Sequence, residues 1–339
     1  MPYYLFLVLF SAVCYAVQFA ANKAYQSKKG SAVKTSLKFI AIKGLVAAVV
    51  FFVVAWIIYG RPLQLHPMSV ILASVASLMG CACWILGFII FKYGSMSVFS
   101  TFLMIGGMTV PFIYSAFRGE SLSALKIIGI ILLIGSLVFP LVGGENEKRR
   151  PVGERVVFVV LCALVFLCNG GMSVFSSIHS GSDFLWFVES TVARVFPDIS
   201  TGRVEGVEFT VLVNISNALF CSVALGVVSL VQYFRTPAIS EAKIGEDEHL
   251  PADKRSFTDS RAYLFVLIVA CALLDAFAFV LMRVVDASGE IALAKYPMQT
   301  AFTVVLSALA GFIVFREKPS RLALVGLGLT FASTFLFIF

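Results

Sequence analysis

Long apolar runs separated by short polar ones fill the chain from end to end. A run of about 18 or more apolar residues is long enough to cross a bilayer as a helix. Ten such runs occur, near residues 3–25, 35–58, 68–92, 96–117, 122–142, 155–178, 208–234, 262–285, 291–315 and 321–338. None alternates with the period of two that a membrane β-strand needs, so the pattern predicts spanning helices rather than a barrel. The expected fold class is an all-α integral membrane protein with ten transmembrane helices. The first run, MPYYLFLVLFSAVCYAVQFAANK, has its basic residues behind its apolar core, and that core exceeds the roughly 7–15 residues of a signal peptide. It reads as a retained first span. Two segments are too polar to cross. One, 179–207, carries Phe184, Leu185, Trp186 and Phe187 beside charges and reads as partly interfacial. The other, 235–261, contains EAKIGEDEHLPADKR and reads as a solvated loop.

The pattern also repeats. One constant offset pairs Glu120 with Glu317, Ser123 with Ser320, Leu125 with Leu322, Gly129 with Gly326 and Ser136 with Ser333. The same offset lays the fourth span on the ninth without a gap. VLFSAVCYAV in the first span matches VLCALVFLCN in the sixth more weakly. The chain therefore divides into residues 1–143, the first five spans, a polar linker at 144–154, and residues 155–339, the second five spans with the inserts at 179–207 and 235–261. Five is an odd number, so the second half starts from the opposite side of the bilayer. The halves are then inverted copies about a pseudo-two-fold axis in the membrane plane, an arrangement that secondary transporters use with a solute site near the midplane.

With RGESLSALKIIG at 118–129 and FREKPSRLALVG at 315–326 standing before the final span of each half, the chain resembles the EamA-like family of the drug/metabolite transporter superfamily. The resemblance covers nearly everything outside the two inserts. It implies a five-plus-five inverted repeat, transport of a small solute and residence in a bacterial plasma membrane. It also implies cytoplasmic termini. The charges read otherwise: most of the 26 Lys and Arg fall in loops after odd-numbered spans or at the adjoining helix ends, which by the positive-inside rule puts both termini outside. The motif glutamates, each a few residues ahead of a helix and beside a serine that can cap it, read as structural.

Composition sharpens the class. The chain is 60% hydrophobic and 13% charged, against about 25% charged in soluble domains. Its net charge of +7 is spread over loops that set topology, so no nucleic-acid partner is expected. The seven cysteines all lie in apolar runs without CxxC spacing, and the histidines at 66, 179 and 249 fall in loops without clustering. They suggest packing residues, no metal site and no cofactor. No GxxxxGK[ST] loop is present to bind a nucleotide.

Asp275 stands near the centre of the eighth span, where a carboxylate costs about 2.5–3.5 kcal/mol on insertion scales. Lys43 lies within the second span and Lys295 opens the ninth. Charges at that depth face the bundle interior and pair. Asp275 is then either a structural ion pair or a solute or proton site. In KYPMQT, 295–300, Pro297 loosens the helix start, which makes Lys295, Tyr296 and Gln299 candidate solute contacts. Gln18 and Asn22 share a face of the first span. Asn169, Asn214 and Trp84 complete the candidate substrate-binding set, each with packing or an interhelical hydrogen bond as its plainer role.

The resulting expectation is a secondary transporter of a small metabolite, an amino acid, organic acid or phosphorylated metabolite, working by alternating access. Its partners would be that solute, the lipid bilayer, and a coupling proton or counter-solute. In the small multidrug-resistance relatives a glutamate in helix 1 couples to protons, and this first span has no acidic residue. Two deep lysines against one aspartate favour a solute with a negative group. A multidrug or cation exporter, with Asp275 supplying the charge, is the first alternative, and a non-transporting scaffold or receptor the second. An intramembrane enzyme would need an Asp dyad, a Ser–His pair or a metal constellation in the spans. One deep Asp, with no His in any predicted span, argues against an enzyme.

Overall fold

A computed structural model describes residues 2–93, 96–119, 123–142, 151–181, 183–192, 194, 202–235, 261–288, 295–317 and 320–336. Among these the chain is helical, and eight helices are long and apolar enough to cross a membrane. They are α1 (Pro2–Lys29), α2 (Val33–Tyr59), α3 (Pro67–Tyr93), α4 (Met96–Phe117), α7 (Val152–Ser180), α9 (Gly206–Arg235), α10 (Arg261–Ser288) and α11 (Lys295–Phe315). The shorter elements are α5 (Ala124–Ser136), α6 (Val138–Val142), α8 (Asp183–Phe187), a π turn (Val188–Val192) and α12 (Arg321–Phe335). Outward faces are apolar. Leu45, Val49, Val53 and Ile57 line an exposed stripe of α2, and Leu219, Val223, Val227 and Leu230 one of α9. Water does not favour such surfaces and lipid does, consistent with an integral membrane protein.

The fifth predicted span is divided into two shorter helices, and the tenth is described as helix over Arg321–Phe335. Ser123 Oγ accepts from the Lys126 N–H at 3.4 Å and starts α5; Ser320 Oγ accepts from the Ala323 N–H at 3.1 Å and starts α12. α5 then stops at Ser136, whose hydroxyl donates back to Leu133 O at 2.6 Å. Four residues on, Pro140 has no N–H to offer the Ser136 carbonyl, so the helix restarts as α6 instead of continuing. At the corresponding place in α12, Ser333 donates to Thr330 O at 3.0 Å and Leu336 closes the end. Ser136 and Thr330 hydroxyls meet at 2.8 Å, joining α5 to α12.

α1 packs against α10 and α11; α7 packs against α3 and α4. α2 crosses α9, α4 meets α11, and α3 and α2 touch α9 and α10 respectively. Glycine makes the tightest crossings possible. A Cβ on Gly44 of α2 would sit 3.0 Å from the Asn214 carbonyl oxygen, and one on Gly106 of α4 would collide with the Phe166 backbone of α7. Within the predicted insert at 179–207, Phe184 is buried while Leu185 and Trp186 face outward, and the Arg118 guanidinium lies 3.7 Å from the Trp186 ring centroid. The insert residues 236–260 lie outside the described residues, as do Glu120 and the linker before Pro151.

Candidate functional site

Asp275 is tolerated in its apolar helix because Lys43 meets it. Lys43 Nζ lies 2.9 Å from Asp275 Oδ2, joining α2 to α10. The lysine side chain is 9% exposed and the aspartate 29%, so the carboxylate is the more open partner. Lys43 Nζ also sits 4.6 Å from the Trp84 ring centroid on α3, where the ring's negative face adds to its stabilisation. Trp84 in turn packs on Phe19 and Phe99, which fixes its plane.

α1 supplies the opposite wall. Leu7 and Val8 pack with Met282 and Val285, while Asn22 Oδ1 accepts from Cys271 Sγ at 3.2 Å, so α1 and α10 run antiparallel. Asp275, one turn beyond Cys271, is thereby carried to the level of Tyr15 and Gln18. Tyr15 lies within electrostatic range of Asp275 and Tyr296. Gln18 is 1% exposed and Asn22 0%. Both amide atoms of Gln18 and the Nδ2 of Asn22 are buried without a hydrogen-bond partner among the described residues. A buried amide left unpaired costs about 1–3 kcal/mol per group, so this cluster holds unsatisfied polarity next to an ion pair.

Thus four predicted site residues, Gln18, Lys43, Trp84 and Asp275, converge on one place. Gln299 is adjacent to it: its Nε2 donates to Ser11 Oγ, one turn before Tyr15 on α1. One and two turns further along α11 lie Thr303 and Ser307, both buried with hydroxyls that have no partner among the described residues. Tyr296 is half exposed. The side chain of Lys295 lies outside the described residues; its backbone opens α11. Asn169 and Asn214 have backbone partners instead, Leu103 O across the α4–α7 seam at 2.6 Å and Thr210 O in α9 at 2.9 Å. Ser11, Tyr15 and Cys271 carried no signal beyond a small or aromatic residue in an apolar run.

Two further polar networks close the bundle's ends. Lys23 pairs with Glu317, and the same carboxylate accepts the Met96 N–H at 2.9 Å. Glu317 therefore serves the N-terminus of α4 and the end of α1, and not its own following helix as its spacing suggested; Ser320 alone caps α12 among the described groups. At the other end, Glu208 is 1% exposed and accepts both Arg61 guanidinium nitrogens, at 2.8 and 3.2 Å. It also accepts the Gln64 N–H at 3.4 Å and reaches back to the Glu205 N–H at 3.0 Å, as a glutamate in the first turn of α9 can. Beside it, His179 stacks on Phe209 with centroids 3.8 Å apart, and its Nε2 meets Ser69 Oγ at 3.1 Å. That hydroxyl accepts the Val204 N–H at 3.1 Å. His179 is thus a buried residue in the last turn of α7, not a loop residue: the helix runs past the predicted span end to Ser180 because this ring has a stacked partner and a hydroxyl to receive it. Among the described residues no group of three or more His, Cys, Asp or Glu is placed to hold a metal ion. No protein-family model matches the chain, and no curated protein matches it.

Proposed function

We propose that this chain is a secondary transporter of the EamA-like kind, carrying a small metabolite by alternating access between two inverted five-helix halves. The observation that carries the reading is the Lys43–Asp275 pair. It joins a helix of residues 1–143 to a helix of residues 155–339, deep in both, and unsatisfied amides lie beside it. Intramembrane ionisable groups at the seam between repeats mark solute paths. The helix contacts support the repeat: exchanging the halves turns α1 on α10 and α11 into α7 on α3 and α4, and returns α2–α9, α4–α11 and α5–α12 to themselves. The breaks after Ser136 and near Ser333 fall at repeat-equivalent positions. Lys295 stays in the proposed site on its position alone. Pairing with Lys43 neutralises Asp275, which disfavours the cation-exporter reading.

The test is counterflow in proteoliposomes holding the full chain. Vesicles preloaded with amino acids, organic acids or sugar phosphates are diluted into tracer of the same compound. Accelerated exchange for one class, lost in Asp275→Asn with an unchanged melting temperature, is the expected result. Exchange that runs normally in Asp275→Asn at every pH removes Asp275 from the site. Folded protein that exchanges none of the classes overturns transport.

A further inference from the structure

We propose that Cys81 and Cys221 are an oxidation site, two thiols that close to a disulfide and latch the two halves of the chain together. Cys81 lies on α3, among residues 1–143, and Cys221 on α9, among residues 155–339. Their sulfurs are 3.3 Å apart. A disulfide bond is about 2.05 Å long, so the sulfurs have about 1.2 Å left to close. Both thiols are buried, and each stands near the middle of a spanning helix. Their hydrogen bonds run in one direction. Asn217 Oδ1 accepts from Cys81 Sγ at 3.1 Å and from Ser77 Oγ at 2.9 Å. An amide oxygen has no proton to give, so the Cys81 S–H is spent there and Cys221 is the donor between the sulfurs. Cys83, two residues on, turns instead to α7 and donates to the Val165 carbonyl at 3.8 Å.

Burial selects the oxidant. Cys81 is 5% exposed and Cys221 1%, which shuts out a bulky disulfide that must line up with the attacking sulfur. Hydrogen peroxide is small and uncharged and is the class of oxidant that fits. The Cys81 sulfur attacks it: the O–O bond breaks, an S–O bond forms, and one water leaves with the thiol proton. The Cys221 sulfur then displaces the hydroxyl of that sulfenic acid. The S–O bond breaks, the S–S bond forms, and the Cys221 proton leaves in a second water. Both sulfurs are oxidised and both peroxide oxygens reduced. The bond lies beside the proposed site. Trp84, whose ring centroid is 4.6 Å from Lys43 Nζ, stands one turn beyond Cys81 on α3. On α9, one turn before Cys221, Ala218 seats Gly44, the neighbour of Lys43; a Cβ on Gly44 would lie 3.1 Å from the Ala218 nitrogen. The dithiol thus joins the two helices that flank Lys43, one from each half. Alternating access moves the halves against each other around such a site. The bond does not depend on the transport reading; the arrest of movement does.

The experiment is peptide mass spectrometry on the full chain in liposomes, treated with hydrogen peroxide and alkylated before digestion. A single linked pair, Cys81 with Cys221, is the expected product, and a membrane-permeant reductant should abolish it. Cys83→Ala should keep the link. Cys221→Ala and, as a second variant, Cys221→Ser should lose it and leave a sulfenic acid on Cys81 that dimedone traps. Thiols that stay free while methionines of the same chain oxidise overturn the site. So does a sulfinic acid on Cys81 without a link, or a link scattered among the seven cysteines. The latch is read by counterflow of the same liposomes. Exchange should fall in proportion to the linked fraction and return on reduction. Linked protein that exchanges as fast as the reduced form overturns the latch. A chain that exchanges nothing in either state counts against the transport reading alone, because the peptides decide the bond separately.

Discussion

A charge inside a membrane helix survives through its partner, and removing one partner is worse than removing both. Lys43 and Asp275 make that measurable. Lys43→Met leaves a carboxylate without its cation and should lower stability by about 3 kcal/mol, the low end for a broken buried pair because Asp275 retains some exposure. The double variant Lys43→Met with Asp275→Leu should recover most of that loss. Thermal melts of both in one detergent give the comparison. A double variant no more stable than the single would mean that the pair does not govern stability. The two charges were visible in the sequence because each interrupts an apolar run. Their pairing was only an expectation, since sequence alone does not say which faces meet. Glu208 and His179 were not visible as buried groups at all. Both stand where an apolar run meets a polar one, and there a charged or imidazole side chain looks like an ordinary loop residue.

Helices in this bundle approach as closely as their smallest residues allow. Gly106 on α4 leaves no room for a methyl group against the Phe166 backbone. Gly106→Ala should therefore push α4 from α7 and lower the melting temperature, by an amount equivalent to about 1–3 kcal/mol. Gly135→Ala meets nothing within 4 Å and should be neutral or slightly stabilising, because alanine favours helix. A Gly106→Ala protein that melts like the parent would mean the seam yields at little cost. At this scale the sequence was most legible. Eight runs became helices of spanning length, because apolar length is what a bilayer selects. The fifth run is instead divided into two shorter helices, α5 and α6, since hydropathy does not register a serine that bonds back to the preceding turn, or a proline that denies it a donor; the tenth is described as helix over Arg321–Phe335.

The molecule is held at both ends by contacts between residues on opposite sides of the 144–154 linker. Lys23 and the Met96 N–H meet Glu317 at one end. Arg61 and Gln64 meet Glu208 at the other, with Ser69 meeting His179 beside them. A constant offset between glutamates and serines suggests a repeat in the sequence, but nothing there points to these closures. They join residues far apart in sequence at places the offset does not relate. On the alternating-access reading, the two ends open in turn, and each closure biases the equilibrium by its own strength. An ion pair with backbone donors, worth about 1–2 kcal/mol, shifts a two-state population by about 5- to 30-fold. On the same reading, Cys271, buried against Asn22 and one turn from Asp275, would report which end is open. Glu317→Ala should raise its labelling by a membrane-impermeant thiosulfonate applied to the face where α1 ends. Arg61→Gln should raise it from the face where α2 ends. Right-side-out and inside-out vesicles separate the faces, and peptide mass spectrometry isolates Cys271 from the other cysteines. Labelling from one face only, whichever variant is used, would reduce one closure to a structural brace. Labelling that switches face with the variant would identify the two closures as the gates of a single path through Lys43 and Asp275.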